Sequence, residues 1–232
     1  MRNRLMTQQD MTGWTIQSDF DGTISLEDVT DTLLTRFGRP GWQELEDAWE
    51  RGEIGSRECM KGQVALLDMS EDELRAHLDG IAIDPGFAGF VRAARAHGVP
   101  VQVVSDGLDY VIRHILGRHG LGRLPVFANR LVRTGERAWR MDSPWASARC
   151  GRASGNCKCQ RLAAEQSSSG ARVLYVGDST SDFCVSGEAD FVLAKYKLIE
   201  HCERHGIAHQ PFTDFAHATR LLGSIVLDLE VA

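Results

Sequence analysis

Apolar runs alternate with amphipathic segments along most of the chain. Residues 14–18 have the pattern of a short strand, and residues 28–37 carry apolar side chains at helical spacing. After residue 84, β-rich runs at 99–104, 126–132 and 191–193 are separated by segments of helical period. Residues 172–176 are almost continuously apolar, which is typical of a strand buried on both faces. Strands that alternate with helices predict an α/β fold, with a parallel sheet covered by helices on both faces.

Residues 37–83 have a different pattern, with apolar positions at helical spacing and almost no strand signal. Ser70 and Glu73 have the spacing of a capping box, in which each side chain satisfies a free backbone amide of the other residue. We therefore predict three or four short helices that form a small cap domain at 37–83. The α/β core would comprise residues 1–36 and 84–232, and Trp42 and Trp49 would fill the small core of the cap.

Several boundaries are predicted from turn-forming residues. Asp84 is expected to be an N-cap with Pro85 in the first turn of the following helix. The sequence Ser105-Asp-Gly107 is expected to end its strand, and residues 167–170 to form a loop. Residues 134–156 are polar and punctuated by glycine and tryptophan, and no element is predicted there. The start of the chain, 1–13, has the composition of a loose polar tail.

Composition narrows the classes of function. The chain has 232 residues, is 43% hydrophobic and 25% charged, and carries a formal net charge of -6. Such values are typical of a globular protein, and the lack of a basic surplus argues against a nucleic-acid partner. The first 13 residues lack the apolar stretch of a secretory signal, and no run approaches the length of a membrane span. We therefore expect a cytoplasmic protein with no membrane partner, whose six cysteines are reduced thiols.

Polar side chains occur where successive predicted strands end. Asp19 and Asp21 follow the first strand, Ser105 follows the second, and Asp178 follows the run at 172–176. Open parallel sheets bind ligands beyond the carboxyl ends of their strands, so these groups are expected to converge. Asp182 lies one helical turn after Asp178.

These groups match what phosphoryl transfer to a carboxylate requires. Asp19 can attack phosphorus, and Asp178 can bind Mg²⁺, which prefers oxygen ligands. Lys158, at the start of a predicted helix, can hold the phosphate oxygens. Ser105 and its neighbours Asp106 and Gly107 can bind phosphate, the last two through backbone amides. Each aspartate alone would more simply be a turn or N-cap residue, but together the set favours catalysis.

The sequence Asp19-Phe-Asp-Gly-Thr23 resembles the first signature, DxDGT, of the haloacid dehalogenase-like phosphatases, whose core is a Rossmann-like sheet. Ser105 resembles their second motif, Lys158 their third, and Gly177-Asp-Ser-Thr-Ser-Asp182 their fourth, GDxxxD. The four motifs span residues 19–182 in the expected order.

The resemblance implies a role for each motif residue. Asp19 would be the nucleophile, and Asp21 the general acid and base. Asp19, the backbone carbonyl of Asp21 and Asp178 would bind Mg²⁺. Asp182 would support the site by holding the water shell of the metal or Lys158. An acid at position 21 favours a phosphatase or phosphomutase over a dehalogenase or an ion pump.

The helical insertion resembles the cap of the phosphoserine phosphatase branch, which implies a small phosphorylated metabolite as substrate. Within this branch, Cys157-Lys-Cys159 and the tail from His205 to Phe215 resemble the methionine-salvage phosphatases. Those enzymes act on 2-hydroxy-3-keto-5-methylthiopentenyl-1-phosphate. Phosphoserine phosphatase, phosphotransfer to a second substrate, and phosphometabolite binding without catalysis remain open as alternatives.

A few residues have two interpretations. Glu27 and Asp28 would contact the substrate or would cap a helix. Arg51, Arg57 and Lys61 are basic residues on the predicted cap, where most charges face water. Cys150, Cys157 and Cys159 have spacing that is poor for structural zinc, so free thiols are favoured. Cys184 is expected to pack inside the protein.

Overall fold

The structure is a computed structural model that describes residues 13–227. A seven-stranded sheet forms the centre of the molecule. The strands are β1 (Trp14–Ser18), β2 (Val101–Leu108), β3 (Val126–Arg133), β4 (Trp139–Asp142), β5 (Arg172–Gly177), β6 (Phe191–Ala194) and β7 (His209–Pro211). Their order across the sheet is β4-β3-β2-β1-β5-β6-β7. All neighbouring strands are parallel except β3 and β4. The predicted α/β fold is therefore confirmed, with one antiparallel strand at the edge.

Ten helices surround or cap this sheet in the described part of the chain. They are α1 (Val29–Phe37), α2 (Trp42–Glu50), α3 (Ser56–Ala65), α4 (Glu71–Leu78), α5 (Phe87–Ala96), α6 (Asp109–Arg118), α7 (Lys158–Ser169), α8 (Phe183–Ser186), α9 (Tyr196–His205) and α10 (Phe215–Val226). A 3₁₀ turn, Thr180–Asp182, precedes α8. The predicted polar tail lies outside the described residues except for Gly13.

Alternate residues of the strands pack into hydrophobic clusters on opposite faces of the sheet. In β5, Leu174 and Val176 belong to the larger cluster, whereas Val173 and Tyr175 belong to the smaller one. Both faces are therefore covered, which explains why this strand has no polar alternation.

The end of β2 differs from the prediction. The strand continues through Ser105, Asp106 and Gly107 to Leu108, and its register with β3 shifts between Val104 and Leu108. The turn-forming triplet produces an irregularity within the strand, because Leu108 still pairs with Asn129 of β3. Helix α6 then begins at Asp109.

The predicted start of α5 and end of α7 were wrong, and strand β4 was not predicted. Helix α5 begins at Phe87 with Gly86 at its N-cap, because the Asp84 side chain instead accepts hydrogen bonds from the amides of Gly86 and Phe215. The predicted loop at 167–170 is the last turn of α7, which ends at Gly170 in the left-handed conformation. Strand β4 lies in the segment that had no prediction.

The three helices α2, α3 and α4 form the segment predicted as a cap. The capping box of Ser70 and Glu73 at the start of α4 is present. Buried side chains of this segment, such as Val64, Leu67 and Leu74, belong to the main hydrophobic cluster of the molecule. Trp42 also packs against that cluster, so the cap helices share the core of the sheet and do not enclose a separate one.

Within residues 13–227, no helix combines the length and the apolar composition that a membrane span requires.

Candidate active site

Asp19 lies immediately beyond the carboxyl end of the central strand β1. Its backbone amide donates to the carbonyl of Val176, at the end of β5, which fixes the residue between two strands. The side-chain Oδ1 accepts a hydrogen bond of 2.8 Å from the amide of Phe20. Oδ2 lies 2.7 Å from Nζ of Lys158, the first residue of α7. One oxygen is therefore held by the backbone and the other faces a buried ammonium group.

Asp182 orients this lysine. Its Oδ1 lies 2.6 Å from Lys158 Nζ and also accepts a 2.5 Å hydrogen bond from the Tyr175 hydroxyl. Its Oδ2 accepts from the backbone amides of Asp178 and Ser179. Because both oxygens of this fully buried carboxylate already have two donors, Asp182 is a support for Lys158 and for the turn that follows β5.

Asp178 brings the third carboxylate to the site. Its Oδ1 accepts a 2.8 Å hydrogen bond from Thr23 Oγ1, which leaves Oδ2 for another partner. A Cβ atom at Gly22 would lie 2.6 Å from that Oδ2, and Gly22 has a φ of +72°. The glycine of the DxDGT sequence is therefore needed both for its backbone conformation and for the space it leaves beside Asp178.

The charges of this cluster are not balanced by protein groups. One carboxylate oxygen each from Asp19, Asp178 and Asp182 lies within 4.8 Å of the other two, and Lys158 is their one close ammonium partner among the described residues. Burial, with repulsion from neighbouring carboxylates, raises the pKa of Asp19 to about 8 and that of Asp178 to about 6. Asp19 and Asp178 offer carboxylate oxygens in a site with excess negative charge, which suits a hard divalent cation.

The lysine itself stays charged. Burial alone would lower the pKa of Lys158, but the carboxylates of Asp182 and Asp19 raise it well above its usual range. The same lysine lowers the pKa of Asp182, against the effect of burial.

Asp21 lies two residues after Asp19, at the start of the segment that leads into α1. Its Oδ1 accepts a 3.0 Å hydrogen bond from the amide of Val29. Its Oδ2 faces Gly107, where a Cβ atom would lie only 2.5 Å away. Burial and the nearby carboxylate of Asp28 raise the pKa of Asp21 well above its usual range. This environment favours the protonated form of the Asp21 carboxyl group.

Ser105, Asp106 and Gly107 all line the cavity beside Asp19, but their polar groups have different surroundings. The Ser105 hydroxyl accepts a hydrogen bond from the amide of Gly107, so that amide is already used and the hydroxyl proton remains available. The Asp106 carboxylate accepts from the amide of Asn156 at 2.8 Å, from the side chain of Asn129 at 3.0 Å and from Ser56 of α3 at 2.9 Å. Asp106 thus connects β2 to α3.

The cavity above Asp19 has a volume of about 310 Å³, the size of a small metabolite. Trp49 and Met60 of the cap contribute an aromatic and a thioether side chain to its wall. Other lining residues that were not predicted are Thr30, Asp31, Glu46, Ser56, Arg152, Ser154, Ser179, Thr180 and Ser181. Trp49 therefore lines the cavity, whereas the prediction placed it in a small core of the cap.

Of the residues that had two interpretations in the sequence, some line the cavity and others do not. Asp28 lines the cavity and is also the N-cap of α1, so both interpretations hold. Glu27 and the basic cap residues Arg51, Arg57 and Lys61 are not among the described residues that line it. Cys184 is exposed and does not pack inside, which corrects that prediction.

Some site residues carried a signal in the sequence. Thr23 and Ser181 stand inside the first and fourth motifs, and their hydroxyls contact Asp178 and Lys158. The loop that contributes Arg152 and Ser154 carried none, because its position depends on contacts with α3. The amide of Arg57 donates to the carbonyl of Ala153 there.

A sequence model of the haloacid dehalogenase-like hydrolases matches residues 16–186, and the chain belongs to this family. The 2-hydroxy-3-keto-5-methylthiopentenyl-1-phosphate phosphatase of Exiguobacterium sp. is 35% identical over 85% of this chain and 91% of that protein. A protein of the same name from Geobacillus kaustophilus is 31% identical over 85% of this chain and 90% of its own length. A structure titled as a phospho-aspartyl intermediate analogue of phosphoserine phosphatase shares the fold, with a TM-score of 0.69 and 18% identity over 91% of this chain and 98% of that one.

Proposed function

We propose that the chain is a Mg²⁺-dependent phosphatase that hydrolyses a small phosphate monoester through an aspartyl-phosphate on Asp19. The observation that carries this proposal is the group of three buried carboxylates with Lys158 only 2.7 Å from Asp19, which itself lines a cavity of about 310 Å³. Phosphoryl transfer requires a nucleophile, here Asp19, beside a fixed cation, here Lys158. It also requires a nearby acid that can donate a proton, and Asp21 can fill that role.

In the first half of the reaction, Asp19 Oδ2 attacks phosphorus while Lys158 and the Ser105 hydroxyl hold the equatorial oxygens. The hydrogen bond from Phe20 to Oδ1 keeps the carboxylate in one orientation, so that the attack needs no rearrangement of the nucleophile. Asp21 gives its proton to the leaving alkoxide. In the second half, the Asp21 carboxylate takes a proton from water that attacks the aspartyl-phosphate.

Mg²⁺ would be held by Asp19, by Asp178 and by the backbone carbonyl of Asp21. When bound, it supplies positive charge that offsets the repulsion between the carboxylate and the phosphate. Asp182 positions Lys158 and leaves the metal to the other groups, because its oxygens already have hydrogen-bond donors.

The proposed substrate is 2-hydroxy-3-keto-5-methylthiopentenyl-1-phosphate, which relatives of up to 35% identity are named for. Two features of the cavity support it. Trp49 and Met60 can pack against the methylthio end, and sulfur in contact with an aromatic ring is favourable. The cap helices over the cavity would exclude water from the reaction. Residues 37–83 are proposed as this cap domain, with 1–36 and 84–232 as the core.

The site requires one partner, the small phosphorylated metabolite that is its substrate. The six cysteines of the chain are all free, which is consistent with the reducing cytoplasm as the location.

The test is phosphate release by the purified protein from the proposed substrate and from phosphoserine, each with Mg²⁺. We expect a higher kcat/KM for the methylthio substrate. Asp19→Asn should lose activity by a factor on the order of 10⁴ or more, since an amide cannot form the intermediate. Asp47→Asn, an exposed substitution on α2, is the matched control and should keep full activity. A clear preference for phosphoserine, or activity retained in Asp19→Asn, would contradict the proposal.

A further inference from the structure

Arg152, in the loop before α7, is a cation beside the proposed substrate that the chemistry described above does not use. It is the one basic side chain among the described residues that line the cavity above Asp19. Lys158, the other nearby cation, is already paired with Asp19 and Asp182. Within residues 13–227, the Arg152 guanidinium forms no ion pair and no hydrogen bond, so its five N–H groups are available to a ligand.

The loop that carries Arg152 has a strained backbone next to it. Ala153 has a φ of +48°, which a residue with a Cβ keeps only where its surroundings impose it. Its carbonyl accepts a 3.0 Å hydrogen bond from the amide of Arg57 in α3. A Cβ atom on Gly55, the N-cap of α3, would lie 2.7 Å from the Ala153 Cβ, so the loop and the helix are in close contact. Strain of this kind is typical of segments that hold a ligand, and here it places Arg152.

The other end of the loop is fixed to the sheet beside the proposed phosphate site. The amide of Asn156 donates to Asp106 at 2.8 Å. The Asn156 side chain donates to the carbonyl of Ser105 in β2 and to a carbonyl of β3, each at 2.7 Å. The loop therefore joins the end of β2 to α3, the helix that carries Met60. Arg152 lies between these two anchors, and so between the phosphate end and the methylthio end of the proposed substrate.

The rest of the cavity wall indicates which group Arg152 meets. Six carboxylates of the described residues line the cavity, those of Asp19, Asp21, Asp28, Asp31, Glu46 and Asp106. Glu46 accepts a 2.7 Å hydrogen bond from the neutral side chain of Gln63, and neither Glu46 nor Asp28 nor Asp31 has an ion-pair partner within residues 13–227. A carboxylate on the substrate would be repelled by these groups, whereas a hydroxyl or carbonyl oxygen would not. Neutral oxygens are therefore the better partners for the arginine.

We propose that Arg152 selects the substrate by donating hydrogen bonds to the oxygens on carbons 2 and 3, next to the carbon that carries the phosphate. This inference rests on the proposed function and names the substrate class of its site, which is phosphate monoesters with neutral oxygens on both of these carbons. The 2-hydroxy and 3-keto oxygens of the proposed substrate are neighbours, and the planar guanidinium presents two parallel N–H groups that they can accept together.

The experiment measures kcat/KM of the full chain and of Arg152→Ala on the methylthio substrate and on an aryl phosphate, each with Mg²⁺. We expect Arg152→Ala to reduce kcat/KM for the methylthio substrate by about 10-fold to 100-fold, mainly through KM, because hydrogen bonds from a charged donor are lost. On the aryl phosphate, which lacks these oxygens, the change should be less than about threefold. Arg152→Lys should recover only part of the loss, since an ammonium group has no fork of donors.

Two controls separate recognition from folding and from turnover. Arg149→Ala removes an exposed arginine of the same loop that does not line the cavity, and it should leave kcat/KM unchanged on both substrates. Calorimetry with Asp19→Asn measures binding of the methylthio substrate without hydrolysis. Addition of Arg152→Ala to this variant should weaken binding by about 10-fold to 100-fold, and thermal melts of the two proteins should coincide.

A loss confined to the methylthio substrate, in turnover and in binding, supports the proposal. An equal loss on the aryl phosphate would place Arg152 on the phosphate, a larger loss on phosphoserine would place it on a carboxylate, and no loss at all would leave it facing water; each of these results would overturn the proposal. Lack of turnover of any phosphate ester by the parent chain would count against the phosphatase itself, and the calorimetric comparison would then decide the role of Arg152 alone.

Discussion

At the scale of single residues, the site depends on two glycines that have no side chain as much as on its carboxylates. Gly22 and Gly107 each leave room for a carboxylate oxygen, Asp178 Oδ2 in one case and Asp21 Oδ2 in the other. Asp21 and Asp178 could be predicted as site residues, because the chemistry needs acids at strand ends. The space beside them could not, since it depends on how β2 approaches the turn after β1.

Gly107→Ala tests that space. The new Cβ would lie 2.5 Å from Asp21 Oδ2 and 3.2 Å from Ser105 Oγ, so the general acid must move. We expect kcat on an aryl phosphate to fall on the order of 10²-fold. Gly117→Ala on α6 is the control, because no atom lies within 4 Å of its added Cβ. It should keep its kcat and gain up to about 1 kcal/mol in the free energy of unfolding in urea.

The hydroxyl of Tyr175 allows a test of stability. It donates to the buried carboxylate of Asp182, and Phe at position 175 would remove that donor. We expect Tyr175→Phe to reduce the free energy of unfolding by about 1.5–3 kcal/mol, as for a hydrogen bond to a charged group. Tyr110→Phe, whose hydroxyl contacts Glu71 near the surface, should change it by less than about 1 kcal/mol. Equal effects of the two substitutions in urea titrations would contradict this account.

At the scale of elements, strands and helices with strong periodicity were predicted well, and short or irregular ones were not. Strand β4 has four residues, in which buried Trp139 and Met141 alternate with Arg140 and Asp142, and so few positions do not define a period. The continuation of β2 through Ser105-Asp-Gly107 depends on its pairing with β3, a contact that local turn preferences do not include.

One hydrogen bond between elements should control how the cap meets the core. Ser56, the first residue of α3, donates to Asp106 at the end of β2. Without it the cap closes less firmly, so Ser56→Ala should raise KM about threefold to tenfold with little change in kcat. Ser70→Ala is the matched cap variant. It should reduce the free energy of unfolding by about 1 kcal/mol through loss of the capping box and leave KM unchanged. A lower kcat with constant KM in Ser56→Ala would show that the bond serves another purpose.

At the scale of the whole molecule, the parallel sheet and the convergence of the motif residues at one edge of it could be predicted from the sequence, whereas the order of the strands was not predicted. Parallel strands bring their carboxyl ends to one edge, so residues as distant as Asp19 and Asp178 had to meet. The walls of the cavity could not be predicted in this way. Trp49, Met60 and Arg152 reach it through the packing of the cap and of the loop before α7, which no motif encodes.

The charge of the assembled site predicts a metal effect on global stability. Three buried carboxylates share one lysine, so a bound divalent cation relieves repulsion in the folded state and shifts unfolding by mass action. We expect Mg²⁺ at 100 times its Kd to add about 2.7 kcal/mol to the free energy of unfolding, and EDTA to remove this gain. Asp178→Asn should unfold at a higher temperature than the parent in EDTA and respond much less to Mg²⁺. Thermal melts with and without Mg²⁺ that coincide for the parent chain would refute this.

Strand β1 precedes the other described strands in the chain, yet it lies in the middle of the sheet, between β2 and β5. On the ribosome, its two edges therefore stay open until residues 101–108 and then 172–177 have emerged. Asp19, the proposed nucleophile, follows the end of β1, so a nascent or truncated chain that stops before β5 lacks both the neighbouring strand and the aspartates that complete its surroundings. A chain that stops before β5 should therefore be inactive, and its open strand edges should make it prone to pair with other copies of itself.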